Sequence, residues 1–101
     1  MNHEMTRDDW VERYELGHQH PVNRACHVVG IPLIVISVLL ALASLALGGG
    51  LFKVAIAFFL LGWILQFVGH AFEGKPPEFF HDWRFLFVGL RWWFMKMLGR
   101  V

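Results

Sequence analysis

The chain has 101 residues, 56% of them apolar, with a mean hydropathy of +0.50 and a formal net charge of +1. That length bounds it to one domain, residues 1–101, and a domain so small cannot cover so much apolar surface with its own core, so lipid or partner subunits must cover the rest. The small charge, with no basic stripe, excludes nucleic acid as a partner, and the single cysteine, Cys26, excludes an internal disulfide.

The first seventeen residues are polar and carry Glu4, Asp8, Asp9, Glu12 and Glu15. This is not the pattern of a secretory signal, so the first apolar run is expected to remain in the mature protein. Thr6-Arg7-Asp8-Asp9 has the form of a helix start, with Thr6 as N-cap and acids in the first turn. A short amphipathic helix is predicted from Thr6 to Leu16, with Trp10 and Tyr14 on one face, lying on a membrane surface or against the other helices. Gly17 and Pro21 bracket a loop, and Pro21 suits the first position of the next helix, where its missing N–H costs nothing.

Two apolar runs follow, Ile31–Leu47 and Leu51–Val68, separated by Gly48-Gly49-Gly50. A bilayer core needs about 20 residues of helix. Starting the first helix near Val22 meets that length and places Asn23, Arg24 and His27 in its first turns. Pro32 then lies inside the helix, where it frees the carbonyl of Val28 and favours a kink. The second helix is expected over Leu51–Phe72, with Lys53 snorkelling near its start and Gly62 and Gly69 on one face for close helix contact. Gly74-Lys75-Pro76-Pro77 ends it. A last segment, Phe80–Leu98, is rich in aromatic residues; Trp83, Trp92 and Trp93 suit the headgroup region, and Arg84 and Arg91 suit lipid headgroups. This helix either lies at the interface or packs into the bundle. The expected fold class is all-α: a small integral membrane bundle of two spanning helices as a hairpin, with flanking amphipathic helices. Eight of the nine Lys and Arg residues lie before the first span or after the second, so the positive-inside rule expects both termini in the cytoplasm.

If the two runs fold back on each other, His27 and His70 arrive at nearly the same depth, and His18 and His81 flank them on the same side. Neutral imidazole is the commonest side-chain ligand for first-row metals. A metal at the open end of the hairpin can collect His27 and His70 from the spans, His18 from the preceding loop and His81 from the following segment. Asn23 is four residues before His27, and Glu73 three after His70, where a carboxylate can orient the ring. The same residues also read as hydrogen-bonding groups at a membrane interface. A haem held by two of the histidines, another metal, and a non-catalytic hairpin assembling with a partner all stay open at this point.

Two blocks carry a resemblance. The first is Tyr14-x3-His18-x2-Pro21-x-Asn23-Arg24-x2-His27-x2-Gly30-x-Pro32; the second is Gln66-Phe67-Val68-Gly69-His70 with Phe72-Glu73 and a closing Pro76 or Pro77, followed by Phe79-Phe80-His81. Together they resemble the Mpo1-like family, also known as DUF962. The resemblance implies an endoplasmic-reticulum type of membrane enzyme, or an inner-membrane one in a bacterium. Its implied activity is that of an iron(II)-dependent dioxygenase, which uses O2 to shorten a 2-hydroxy fatty acid by one carbon. It implies His18, His27, His70 and His81 as Fe2+ ligands, with Glu73 and Asn23 as catalytic candidates. Arg24 is a candidate partner for the substrate carboxylate. Many relatives are longer, so a chain of this length is expected to complete its bundle as a homo-oligomer. Four histidines strain the mechanism, because they leave only two positions on an octahedral ion for a bidentate 2-hydroxy acid and O2.

Overall fold

A computed structural model describes residues 7–100; the predicted cap at Thr6 lies outside the described residues. The elements are α1 (Arg7–Leu16), α2 (Pro21–Leu47), α3 (Leu51–Glu73), a single 3-10 turn (Glu78–Phe80) and α4 (Phe85–Met97). Pro21 opens α2 as expected, and the His20 ring accepts a hydrogen bond from the Val22 N–H at 3.1 Å. At the far end Gly48 and Gly49 take φ of +64° and +66°, which only glycine adopts freely, and so reverse the chain within a few residues. Gly74, at φ +75°, ends α3 with its N–H on the His70 carbonyl.

α2 and α3 form an antiparallel hairpin. At 27 and 23 residues, both are long and apolar enough to cross a membrane. Only 11% and 17% of their most apolar windows are buried within the molecule. Core helices of a soluble protein would be mostly covered. Here Leu45 and Leu47, beside the turn, are 84% and 74% exposed.

Glycine sets the contact between these helices. A Cβ on Gly62 would lie 3.0 Å from the Gly30 carbonyl oxygen and 2.7 Å from Ile34 Cγ1; one on Gly69 would lie 3.0 Å from Asn23 Cα. Backbone therefore meets backbone at both crossings, as the shared face of Gly62 and Gly69 predicts.

α4 packs against α1 at the open end of the hairpin, through Val11, Tyr14, Phe85, Val88 and Trp92. Of the two places expected for α1, a membrane surface or the other helices, it takes the second. One expectation is corrected: Trp92, expected among headgroups, has no exposed surface. Its indole N–H donates to Glu15 Oε1, while Glu15 Oε2 pairs with Arg24 at 3.3 Å. One carboxylate thereby joins α1, α2 and α4. Trp93 is also a docking residue: its indole N–H donates to the Val28 carbonyl at 2.8 Å. This is the carbonyl that Pro32 deprives of its helical partner. Trp83 is 65% exposed, and Arg84 pairs with Asp82 and stacks over Trp10.

Candidate metal centre

The last turn of α1 supplies Tyr14, whose carbonyl and ring fix His18 in the loop that follows. His18 Nδ1–H donates to the Tyr14 carbonyl at 2.6 Å, and the two rings stack with centroids 3.9 Å apart. Gly89 of α4 leaves room for this phenol, since a Cβ there would lie 2.9 Å from its oxygen. In the second turn of α2, His27 Nδ1–H donates to the Asn23 carbonyl at 2.9 Å. His70 enters from the last turn of α3, where its Nδ1 is buried without a hydrogen-bond partner among the described residues.

These three imidazoles converge. Their centroids are 4.2 Å (His18–His27), 4.6 Å (His18–His70) and 4.8 Å (His27–His70) apart, and one ligand nitrogen from each lies within 4.8 Å of the others. All three are buried. A carbonyl can only accept, so the contacts to Tyr14 and Asn23 place the Nδ1 proton on both His18 and His27. Their Nε2 atoms then carry lone pairs, and these face each other at 3.0 Å. Two acceptors at that distance have no hydrogen to share unless one ring is cationic. Burial opposes that, pushing the His18 pKa down to about 4 despite the Tyr14 carbonyl. The donor set fits a cation held by three neutral nitrogens. Neighbouring corners of a coordination sphere with bonds of about 2.1 Å are about 3.0 Å apart. A haem plane does not fit between two nitrogens at that spacing.

The other expected site residues go elsewhere. His81 caps the 3-10 turn, is exposed, and lines a separate surface depression with Asp82 and Arg84. The four expected imidazoles are therefore three. Pro76-Pro77 ends the helical path before His81, and the aromatic rings of the turn, not the imidazole, face α3: Phe79 packs on Trp63, with centroids 5.5 Å apart. Asn23 is fully buried, and its Nδ2 donates to the Gly17 carbonyl at 3.2 Å and to Glu73 Oε1 at 3.1 Å. Glu73 Oε1 also accepts from the His20 N–H at 2.8 Å. Among the described residues its hydrogen bonds run to the start of α2 and none to His70. A carboxylate there satisfies free N–H groups and complements the positive end of the helix. Arg24 is committed to Glu15 and does not line the cavity beside the imidazoles.

That cavity has a volume of about 370 Å³. It runs from the imidazoles along α2, past Ile31, Ile34 and Val38, with Trp63 and Gln66 of α3 and Leu86 of α4 opposite. Its walls are apolar almost throughout. Tyr14 and Gln66 lie in the motif blocks without an expected role at the site; their only signal in the sequence is spacing, four residues from His18 and from His70.

Residues 5–101 match the family described as 2-hydroxy-palmitic acid dioxygenase Mpo1-like. The chain belongs to the Mpo1-like family. No curated protein and no solved structure matches it. Within this Mpo1-like chain the two motif blocks form one structure. The first supplies Tyr14, His18, Asn23 and His27, the second supplies Gln66 and His70, and Gly30 and Gly69 bring the blocks together.

Proposed function

We propose that this chain is a membrane-embedded, iron(II)-dependent dioxygenase of 2-hydroxy fatty acids, with His18, His27 and His70 as the metal ligands. One observation carries the reading: the Nε2 lone pairs of His18 and His27 face each other at 3.0 Å, with His70 beside them. The family description supplies the substrate class. Three protein nitrogens in place of four also relieve the strain in the mechanism, leaving three positions of a six-coordinate ion for a bidentate 2-hydroxy acid and O2.

Bound iron(II) supplies the redox chemistry by which one O2 converts the 2-hydroxy acid to the acid one carbon shorter, CO2 and water, a balance that closes in every atom. The chain's own residues prepare for that step. Tyr14 and Asn23 hold two imidazoles in the tautomer that offers Nε2. Burial raises the Tyr14 phenol above its ordinary pKa, so it packs on His18 as a neutral ring. Asn23 and Glu73 act as positioning residues, tying the loop that carries His18 to the ends of α2 and α3. The groove takes the acyl chain, each methylene contributing about 0.8 kcal/mol relative to water and less relative to lipid. With α2 and α3 as spans, the positive-inside rule supports a cytoplasmic side for both termini and the metal.

Elemental analysis of protein purified anaerobically in detergent tests the metal, and oxygen uptake with 2-hydroxypalmitate tests the reaction. We expect about one iron per chain, and loss of both iron and uptake in His18→Ala, His27→Ala and His70→Ala. Full oxygen uptake in the His27→Ala variant, or an iron-free wild type that turns over, defeats the reading. His81→Ala is expected to retain its iron.

A further inference from the structure

The head of a 2-hydroxy acid needs more than a metal. A carboxylate held at the edge of an apolar groove is stable only with hydrogen-bond donors around it, and Arg24 is turned away to Glu15. Two side chains of α3 that line the groove each carry a buried N–H with no hydrogen-bond partner among the described residues: Gln66, whose Nε2 is tucked against Gly30, and Trp63, through Nε1. Trp63 lies within an aromatic stack with Phe59, Phe67 and Phe79, so its ring is chiefly wall. Gln66 instead seats its carboxamide against Gly30 of α2. It is 6% exposed and sits one helical turn from His70 on the same face. The space it occupies is reserved for it, because a Cβ on Gly30 would come within 2.6 Å of its Nε2. A buried carboxamide donor left unpaired is costly, and native chains retain one where something else completes it.

We propose that Gln66 is the residue that recognises the polar head of the acid: its carboxamide N–H donates to a carboxylate oxygen of a 2-hydroxy acid lying in the groove. This rests on the oxygenase reading above. A neutral donor suits the position. An arginine or lysine one turn into the apolar groove would carry the cost of a buried charge, whereas an amide recognises the carboxylate without one. Gln66 is then the source of selectivity for acids over neutral lipids of the same length.

The test uses the full chain in detergent, loaded with iron(II) without oxygen. Binding of 2-hydroxypalmitate and of 1,2-hexadecanediol is followed by tryptophan fluorescence, and iron by elemental analysis. Gln66→Leu should keep its iron and bind the acid about 10- to 100-fold more weakly, the range for a hydrogen bond to a charged group. Gln66→Glu, nearly the same shape, should bind the acid more weakly still, because carboxylate then faces carboxylate, yet bind the diol within about threefold of wild type. Acid binding within about twofold of wild type in both variants overturns the proposal. So does an equal loss of acid and diol in the Glu variant, which marks a space-filling residue, and so does loss of iron from both variants. A wild type that holds no iron defeats the oxygenase reading itself; a wild type that holds iron and binds the acid, with Gln66 indifferent, defeats only this inference.

Discussion

Asn23 shows how much one buried side chain can organise. Its carbonyl sets the tautomer of His27, its amide nitrogen reaches the Gly17 carbonyl ahead of His18, and the same nitrogen meets Glu73 at the end of α3. Asn23→Ala keeps the carbonyl but removes both side-chain bonds. It should cost about 2 kcal/mol of stability and reduce bound iron by loosening the His18 loop, seen as a lower thermal midpoint in detergent and a lower iron-to-protein ratio. Glu73→Gln, which keeps an acceptor oxygen for the His20 N–H, should be milder than Glu73→Ala by the same measurements. The spacing of Asn23 and Glu73 from His27 and His70 was visible in the sequence. The direction of their side chains was not, because helical spacing fixes which face a residue occupies and not which of several nearby N–H groups it finds. His81 exposes the same limit more sharply. Beyond Pro76-Pro77 no helical period carries it back to the hairpin, and its place depends on how Phe79 packs on Trp63.

Among the elements, α4 carries the clearest local compensation. Pro32 leaves the Val28 carbonyl without its helical donor, and Trp93 supplies one from another helix. Trp93→Phe should therefore cost about 1–3 kcal/mol, the penalty of a stranded buried carbonyl. Pro32→Ala restores a backbone N–H at position 32, so in that background the Trp93→Phe loss should shrink to about 1 kcal/mol or less. Thermal or denaturant unfolding of the two single variants and the double variant measures this coupling, and equal losses in both backgrounds would show that the indole acts only by packing. The free carbonyl could be foreseen from Pro32, and the α2–α3 hairpin from the apolar runs, the glycine triplet and the Gly62/Gly69 face. The partner of that carbonyl could not. An aromatic stripe reads alike whether it meets lipid or protein, and only the docking of α4 on α1 separates buried Trp92 from exposed Trp83. The crossing itself is open to test: Gly62→Val should separate the hairpin, since a Cβ alone already meets Ile34 Cγ1 at 2.7 Å and the Gly30 carbonyl at 3.0 Å, and a drop in thermal midpoint larger than that of Gly50→Val, in open space, checks it.

For the molecule as a whole, the metal centre joins elements far apart in sequence, so stability and acidity are coupled through it. In the metal-free protein, burial lowers the His18 pKa from about 6.5 to about 4. Above pH 6.5 the ring is neutral in both folded and unfolded chains, and its contribution to stability is fully present. Between pH 6.5 and 4 the unfolded chain takes up a proton that the folded chain refuses, so stability falls as pH falls, by up to about 1.4 kcal/mol per pH unit and on the order of 3 kcal/mol across the window. Below pH 4 both forms are protonated and this loss stops growing. Metal strengthens the trend, because it binds the neutral rings and stabilises only the folded chain. The thermal midpoint of the metal-free protein should therefore be flat from pH 7 to 8 and decline below pH 6.5. Added iron(II) should raise it at pH 7 and lose its effect toward pH 4. His18→Leu should reduce the acid slope of the metal-free protein and abolish the shift with iron. An unchanged slope in that variant would mean that His18 titrates as an exposed imidazole does, contrary to its burial between Tyr14 and His27.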